Sequence, residues 1–122
     1  MEDKTQSTKR YDLEDRTLKF ARRIKDFVKK FPKSITNAEI SDQLFRAAGS
    51  VGANYIEANE ALSKKDFKMR IKICRKEAKE STHWLRLVVE TNNESFQNEG
   101  KDLIKEATEL KKIFSSIIEK SK

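Results

Sequence analysis

The chain has 122 residues, 39% of them charged, with one proline, three glycines, one cysteine and a formal net charge of +7. That length suits a single core and is too short for a second, and the composition suits helices better than a β-rich fold. Cys74 stands alone, which excludes a disulfide within one chain and points to a reducing cytoplasm.

The opening MEDKTQSTKR carries no apolar run for a signal peptide, and residues 1–10 are expected to form a mobile polar tail ahead of a single domain over 11–122. No stretch approaches the roughly 20 apolar residues of a membrane span, so a cytoplasmic protein is expected. Helix 1, about 12–31, places Leu13, Phe20, Ile24, Phe27, Val28 and Phe31 on one side and stops at Pro32. Thr36-Asn37-Ala38-Glu39 reads as a capping box flanked by an Ile35/Ile40 staple, which starts helix 2 near 37 and carries it to about 62. Ser63 and Asp66 repeat that logic for helix 3, about 64–91. NNESFQNEG reads as a loop, and helix 4, about 98–119, turns Leu103, Ala107, Leu110, Phe114 and Ile117 inward. Short connections make consecutive helices antiparallel, so an all-α, up-and-down four-helix bundle is expected.

Helix 2 shows two apolar strips. Ile40, Leu44, Ala47, Val51, Tyr55, Ala58 and Leu62 face the core, and Phe45, Ala48, Gly49, Gly52 and Ile56 lie about a quarter-turn away. Each glycine costs roughly 1 kcal/mol against Ala in a helix interior, so something must require it. The small residues serve either helix packing inside the bundle or contact with a second subunit. Helix 3 is also double-sided: Met69, Ile73, Trp84 and Leu87 flank its core strip of Phe67, Ile71, Cys74, Ala78, Leu85 and Val88. One bundle cannot easily cover two such helices, which favours a homo-oligomer. The polar residues bordering these strips, Arg46, Ser50, Asn54 and Glu57 on helix 2 and Arg70, Glu77 and Glu80 on helix 3, are expected to be structural. An antiparallel hairpin would pair Glu57 with Arg70, and Arg46 with Glu77 or Glu80.

Catalytic patterns are thin. Glu80-x-x-His83 has the spacing of a di-metal bundle half-site, but the single histidine excludes a complete site within one subunit. Helical nucleases of the HEPN type use Arg and His separated by four to six residues, whereas seven separate Arg75 from His83. No phosphate loop or Ser-His-Asp set occurs, and Cys74 on the core strip reads as a structural thiol. The chain therefore reads as non-enzymatic, with no cofactor, metal, membrane or small-molecule substrate; a composite ribonuclease site shared between subunits is the distant alternative.

Charge is the strongest chemical signal. Residues 16–33 hold eight basic residues against Asp26, and residues 64–79 hold eight against Asp66 and Glu77, while the remainder is net acidic. Arg16, Lys19, Arg22, Arg23, Lys29 and Lys30 form a stripe on helix 1; Lys65, Lys68, Lys72, Arg75, Lys76, Lys79 and Arg86 form another on helix 3. Both are candidates for charge-led nucleic-acid binding with little sequence preference, since no aromatics interleave to stack bases. A protein-interaction scaffold without nucleic acid is the alternative.

Ser50-Val51-Gly52-Ala53-Asn54-Tyr55-Ile56-Glu57-Ala58, Lys65-Asp66-Phe67 and Glu77-Ala78-Lys79-Glu80-Ser81 leading to Trp84-Leu85 resemble the four-helix-bundle proteins encoded in intervening sequences of bacterial 23S rRNA genes. The likeness runs from Tyr11-Asp12-Leu13 into helix 4. It implies a bundle assembling as a pentameric barrel and carries over no catalytic residues. A related branch, the accessory variability determinant of diversity-generating retroelements, binds nucleic acid and a reverse transcriptase, so the resemblance favours RNA or a ribonucleoprotein as partner.

Overall fold

The computed structural model describes the backbone over 4–91 and 94–122 and the side chains over 12–91 and 94–122. Four α-helices account for nearly all of it: α1 (Lys4–Val28), α2 (Ile35–Asn59), α3 (Lys64–Thr91) and α4 (Gln97–Lys120), with a 3-10 turn at Glu94–Phe96 before α4. Among the described residues no helix is long and apolar enough to cross a membrane.

Several boundaries differ from the sequence expectation. The expected tail is helical from Lys4 onward, while residues 1–3 lie outside the described residues. Lys4, Gln6, Lys9 and Arg10 are good helix formers, and extending an existing helix adds a hydrogen bond per residue without a new nucleus.

The first connection also shifts. α1 closes with turn bonds from the Lys30 and Phe31 amides to Phe27 and Val28. Ser34, not Thr36, caps α2: its backbone is extended and its hydroxyl accepts from the Asn37 amide at 3.0 Å. Asn37 donates to the Pro32 carbonyl at 2.8 Å, fastening the turn from the other side. With the cap at Ser34, Ile35 becomes the first helical residue and is 87% exposed, so no Ile35/Ile40 staple forms. α2 ends at Asn59, which leaves Leu62 outside the helix and 99% exposed instead of on the core strip. The Ser63 cap of α3 forms as expected, its hydroxyl accepting from the Asp66 amide at 3.0 Å.

The contacts set the helices antiparallel. Cys74 meets Val51, and Arg70 meets Asn54, across α2 and α3. Arg16 meets Glu106 and Glu109, and Lys30 meets Glu99, across α1 and α4. α3 packs extensively on both α2 and α4, whereas α1 meets α4 over a lighter seam. A continuous apolar core runs through the bundle, with Phe20, Ile24, Phe27, Leu44, Ile71, Leu85, Leu103, Leu110 and Phe114 all buried. Phe96 closes one end, edge-on to Phe27 and Phe31 with ring centres 6.4 and 5.4 Å away.

Two glycines are explained by close approach. A Cβ on Gly52 would meet Thr17 Oγ1 at 3.0 Å, where α1 crosses α2. A Cβ on Gly100 would collide with Val89 Cγ2, where α4 starts against the end of α3. Gly49 differs, since among the described residues nothing beyond its own stretch of helix lies within 4 Å of the position a Cβ would take.

Candidate nucleic-acid interface

The site follows from how α3 is buried. Ile71, Cys74, Ala78, Ser81, Leu85 and Val88 are sealed in the core, which at about 100° per residue turns Lys65, Lys68, Lys72, Arg75, Lys76, Lys79 and Arg86 onto one outer flank, with Lys68 and Arg75 half-buried. Lys65 to Arg86 spans about 32 Å of helix axis at 1.5 Å per residue. Of the seven only Lys76 forms an ion pair among the described residues, with Glu77 at 3.8 Å, although Asp66 stands near Lys65 and Lys68. On α4, Lys101 and Lys112 are exposed on the side opposite its buried residues, two further cations that a polyanion could reach. Sequence reasoning missed these two.

The α1 stripe has a different fate. Arg16 donates two hydrogen bonds to Glu106, at 2.8 and 2.7 Å, and a third to Glu109 at 2.8 Å. The hydrogen bonds to Glu106, then its charge, raise the Arg16 guanidinium above its ordinary range despite an opposing effect of burial. Lys30 is held by Glu99 at 3.0 Å. Asp12, Asp15 and Glu106 line a hollow with Arg16, Lys19 and Arg23. Reading helix by helix hid this, because the neutralising carboxylates lie about 70–90 residues away on α4. The signal was present in the acidic face of Glu99, Glu106 and Glu109.

The apolar residues assigned to a second interface divide in two. Ala48 is fully buried, Gly52 abuts Thr17, and Trp84 and Leu87 are half-buried against the chain's own core. Phe45, Ile56 and Met69 remain 44%, 51% and 48% exposed, and Leu18 on α1 is exposed as well. Ile73 is partly covered beside the lysines.

Of the residues expected to form a polar seam, Ser50, Asn54 and Arg70 are joined by hydrogen bonds, whereas Arg46, Glu57 and Glu80 are exposed. Arg70 donates to Asn54 Oδ1 at 3.0 Å, and Asn54 in turn donates to the Ser50 carbonyl and hydroxyl, both at 2.9 Å. Neither Arg70 nor Arg46 forms the expected interhelical ion pair; Arg46 pairs with Asp42 one turn earlier at 3.2 Å. Asn54 reaches Arg70 first because its side chain already leans along the helix toward Ser50. Glu77 is mostly covered, and burial, then the neighbouring Glu80, pushes its carboxyl above the ordinary 4.5.

Burial pushes the Cys74 thiol up to about 12, and its Sγ donates to the Val51 carbonyl at 3.4 Å, as befits a structural thiol. His83 is exposed and stands edge-on to Trp84, ring centres 4.9 Å apart. It lies about 12 Å along the helix from Arg75, too far for the two to share a reacting atom. Among the described residues no group of His, Cys, Asp and Glu is arranged to hold a metal ion.

Fold and surface together define an all-helical, up-and-down four-helix bundle with one unneutralised basic helix face. The chain belongs to the family of 23S rRNA-intervening sequence proteins, whose model matches residues 9–116. It is also similar to a crystal structure of a protein of unknown function from the S23 ribosomal protein family of Bacteroides thetaiotaomicron. The two are 32% identical, with a TM-score of 0.74, over 86% of this chain and 96% of that one. No functionally curated protein matches the chain significantly.

Proposed function

We propose that this protein is a non-enzymatic, cytoplasmic homo-oligomer that binds structured RNA or a ribonucleoprotein through the outer face of α3. The observation that carries the reading is the α3 stripe: seven basic side chains along about 32 Å, of which only Lys76 is ion-paired. Phosphates displace condensed counterions when they meet such a face, so affinity falls steeply with salt and depends little on sequence. The preference for RNA rests on membership of the 23S rRNA-intervening sequence family, with the nucleic-acid-binding branch that the sequence resemblance implies. On α1, Lys19, Arg22, Arg23 and Lys29 are left for a secondary role, because Arg16 and Lys30 are committed to α4.

Self-association, as a pentamer by family resemblance, is proposed through the strip formed by Phe45, Gly49 and Ile56 with Leu18 beside it. Exposed apolar side chains flanking an uncovered glycine are what a second backbone needs for close approach. This places the contact on the α1/α2 side and leaves α3 outward.

Filter binding of a structured RNA across a salt series tests the reading on the same sample whose mass is measured by sedimentation. Changing Lys65, Lys72 and Lys79 to Gln should flatten the log–log salt slope by about two to three, at about 0.7–0.9 per lost phosphate contact. Changing Lys19, Arg22 and Lys29 to Gln should flatten it less. Absence of binding at low salt would leave the scaffold reading instead.

A further inference from the structure

The basic face of α3 is not uniformly polar. Met69 and Ile73 lie along one edge of the lysine row, with Asp66 on their far side, and together with Lys65, Lys68, Lys72 and Lys76 these residues line an open trough of about 500 Å³. Every wall residue comes from α3, so no other helix of the chain covers the trough. Its floor is apolar, with Met69 48% exposed, and its rim is almost wholly cationic. Along the axis the four lysines follow one another at about 4.5–6 Å.

An occupant must match both features: repeated negative charge along the rim and a flat apolar surface between charges. A second copy of this chain is assigned elsewhere, since the self-association proposed above uses Phe45, Gly49 and Ile56 on the α1/α2 side and leaves this face outward. A bilayer does not match both, because two apolar side chains on this arc are too few to anchor a helix in the acyl boundary. A double-stranded nucleic acid satisfies only the rim, its base faces being stacked away. A single strand satisfies both, because each repeat offers a phosphate and an unstacked base.

Resting on the reading of α3 as the RNA-binding face, we propose that the trough binds an unpaired segment of the nucleic acid, with phosphates on Lys65, Lys68, Lys72 and Lys76 and a base seated on Met69 and Ile73. Methionine sulfur and the isoleucine side chain give a base face a soft apolar support that is indifferent to base identity. The protein would then select loops, bulges or single-stranded flanks by their lack of pairing, not by their sequence.

The test uses fluorescence anisotropy on the full chain with three labelled probes of about 12 nucleotides: a single-stranded RNA, the same strand with abasic central positions, and its duplex. The intact strand should bind about five- to tenfold more tightly than the abasic one at equal salt, since both carry the same phosphates. Met69→Ser and, separately, Ile73→Ser should erase that difference while leaving the salt slope of the wild type. Circular dichroism melts establish that each variant is folded, and Met69, being half exposed, tolerates the change best. Equal binding of intact and abasic strands would overturn the inference while leaving the electrostatic reading in place. Binding of anionic phosphatidylserine vesicles that depends on Met69, with no base dependence, would likewise overturn it. No binding of any of the three probes at low salt would overturn the α3 reading itself, and the inference with it.

Discussion

Gly49 and Gly52 sit three residues apart on one helix, and the structure predicts opposite responses to the same methyl group. A helix-interior glycine is roughly 1 kcal/mol less favourable than alanine. At Gly49, among the described residues, nothing beyond its own stretch of helix lies within 4 Å of the added Cβ, so Gly49→Ala should recover most of that amount in the isolated bundle. For a domain of this size the gain corresponds to about 3–5 °C in Tm. At Gly52 the same Cβ meets Thr17 Oγ1 at 3.0 Å and Thr17 Cβ at 3.3 Å. Thr17 is buried and its hydroxyl is tied to the Glu14 carbonyl at 3.0 Å, so α1 must give way by a few tenths of an ångström. That cost offsets the helical gain and leaves Gly52→Ala neutral to about 1 kcal/mol destabilised, with Gly52→Leu losing about 3 kcal/mol through overpacking. Chemical denaturation of both alanine variants, read by circular dichroism at high dilution, gives the comparison directly. Equal stabilisation by the two substitutions would show that α1 is not seated on α2 at Thr17, and the explanation of Gly52 would fail.

Gly49→Leu should raise the melting of the dilute protein about as much as Gly49→Ala but lower the mass seen by sedimentation, because the side chain fills the opening proposed for a neighbouring backbone. In double-mutant cycles Glu57→Ala and Arg70→Ala should be additive, whereas Asn54→Ala and Arg70→Ala should couple by about 0.5–1 kcal/mol, since the hydrogen bond runs between the latter pair. The folded state holds the Glu77 proton to higher pH than the unfolded chain does, so stability falls as pH rises from 4.5 through that raised value. Glu77→Gln should remove this decline, visible as a flatter dependence of the urea midpoint on pH. Cys74, with its thiol pushed up to about 12 and sealed in the core, should react with a thiol reagent near neutral pH only as fast as the bundle opens.

The helical cores were legible because burial imposes a period: Phe20, Ile24 and Phe27 on α1 and Leu103, Leu110 and Phe114 on α4 lie where the pattern puts them. The ends were less legible. Ser34 and Thr36 are both competent caps, and the choice between them depends on Asn37 reaching back to Pro32, which no pattern of polarity encodes. Gly52 needed a partner from another helix for its explanation, and Thr17, polar and buried, carries no apolar signature that would announce it. The expected ion pairs came from matching levels along a hairpin, but level alone does not rank a carboxylate against the shorter amide of Asn54.

The two basic stripes look alike in sequence, and their divergence follows from how each helix is held. α3 packs on α2 and α4 through sealed apolar and small residues, so its attachment needs nothing from its charged arc. α1 has a lighter seam with α4, and there Arg16, partly shielded and in fork geometry with Glu106, supplies directional contacts. A cation held this way has a partner whose displacement any phosphate would have to achieve first, whereas a solvated lysine on α3 has only mobile counterions to lose. Glu106→Gln with Glu109→Gln should therefore weaken the fold while making the α1 face a better polyanion binder, steepening the salt slope of RNA affinity. The opposite result, an unchanged slope in a folded double variant, would mean that the α1 face is kept from nucleic acid by something other than its carboxylate partners on α4.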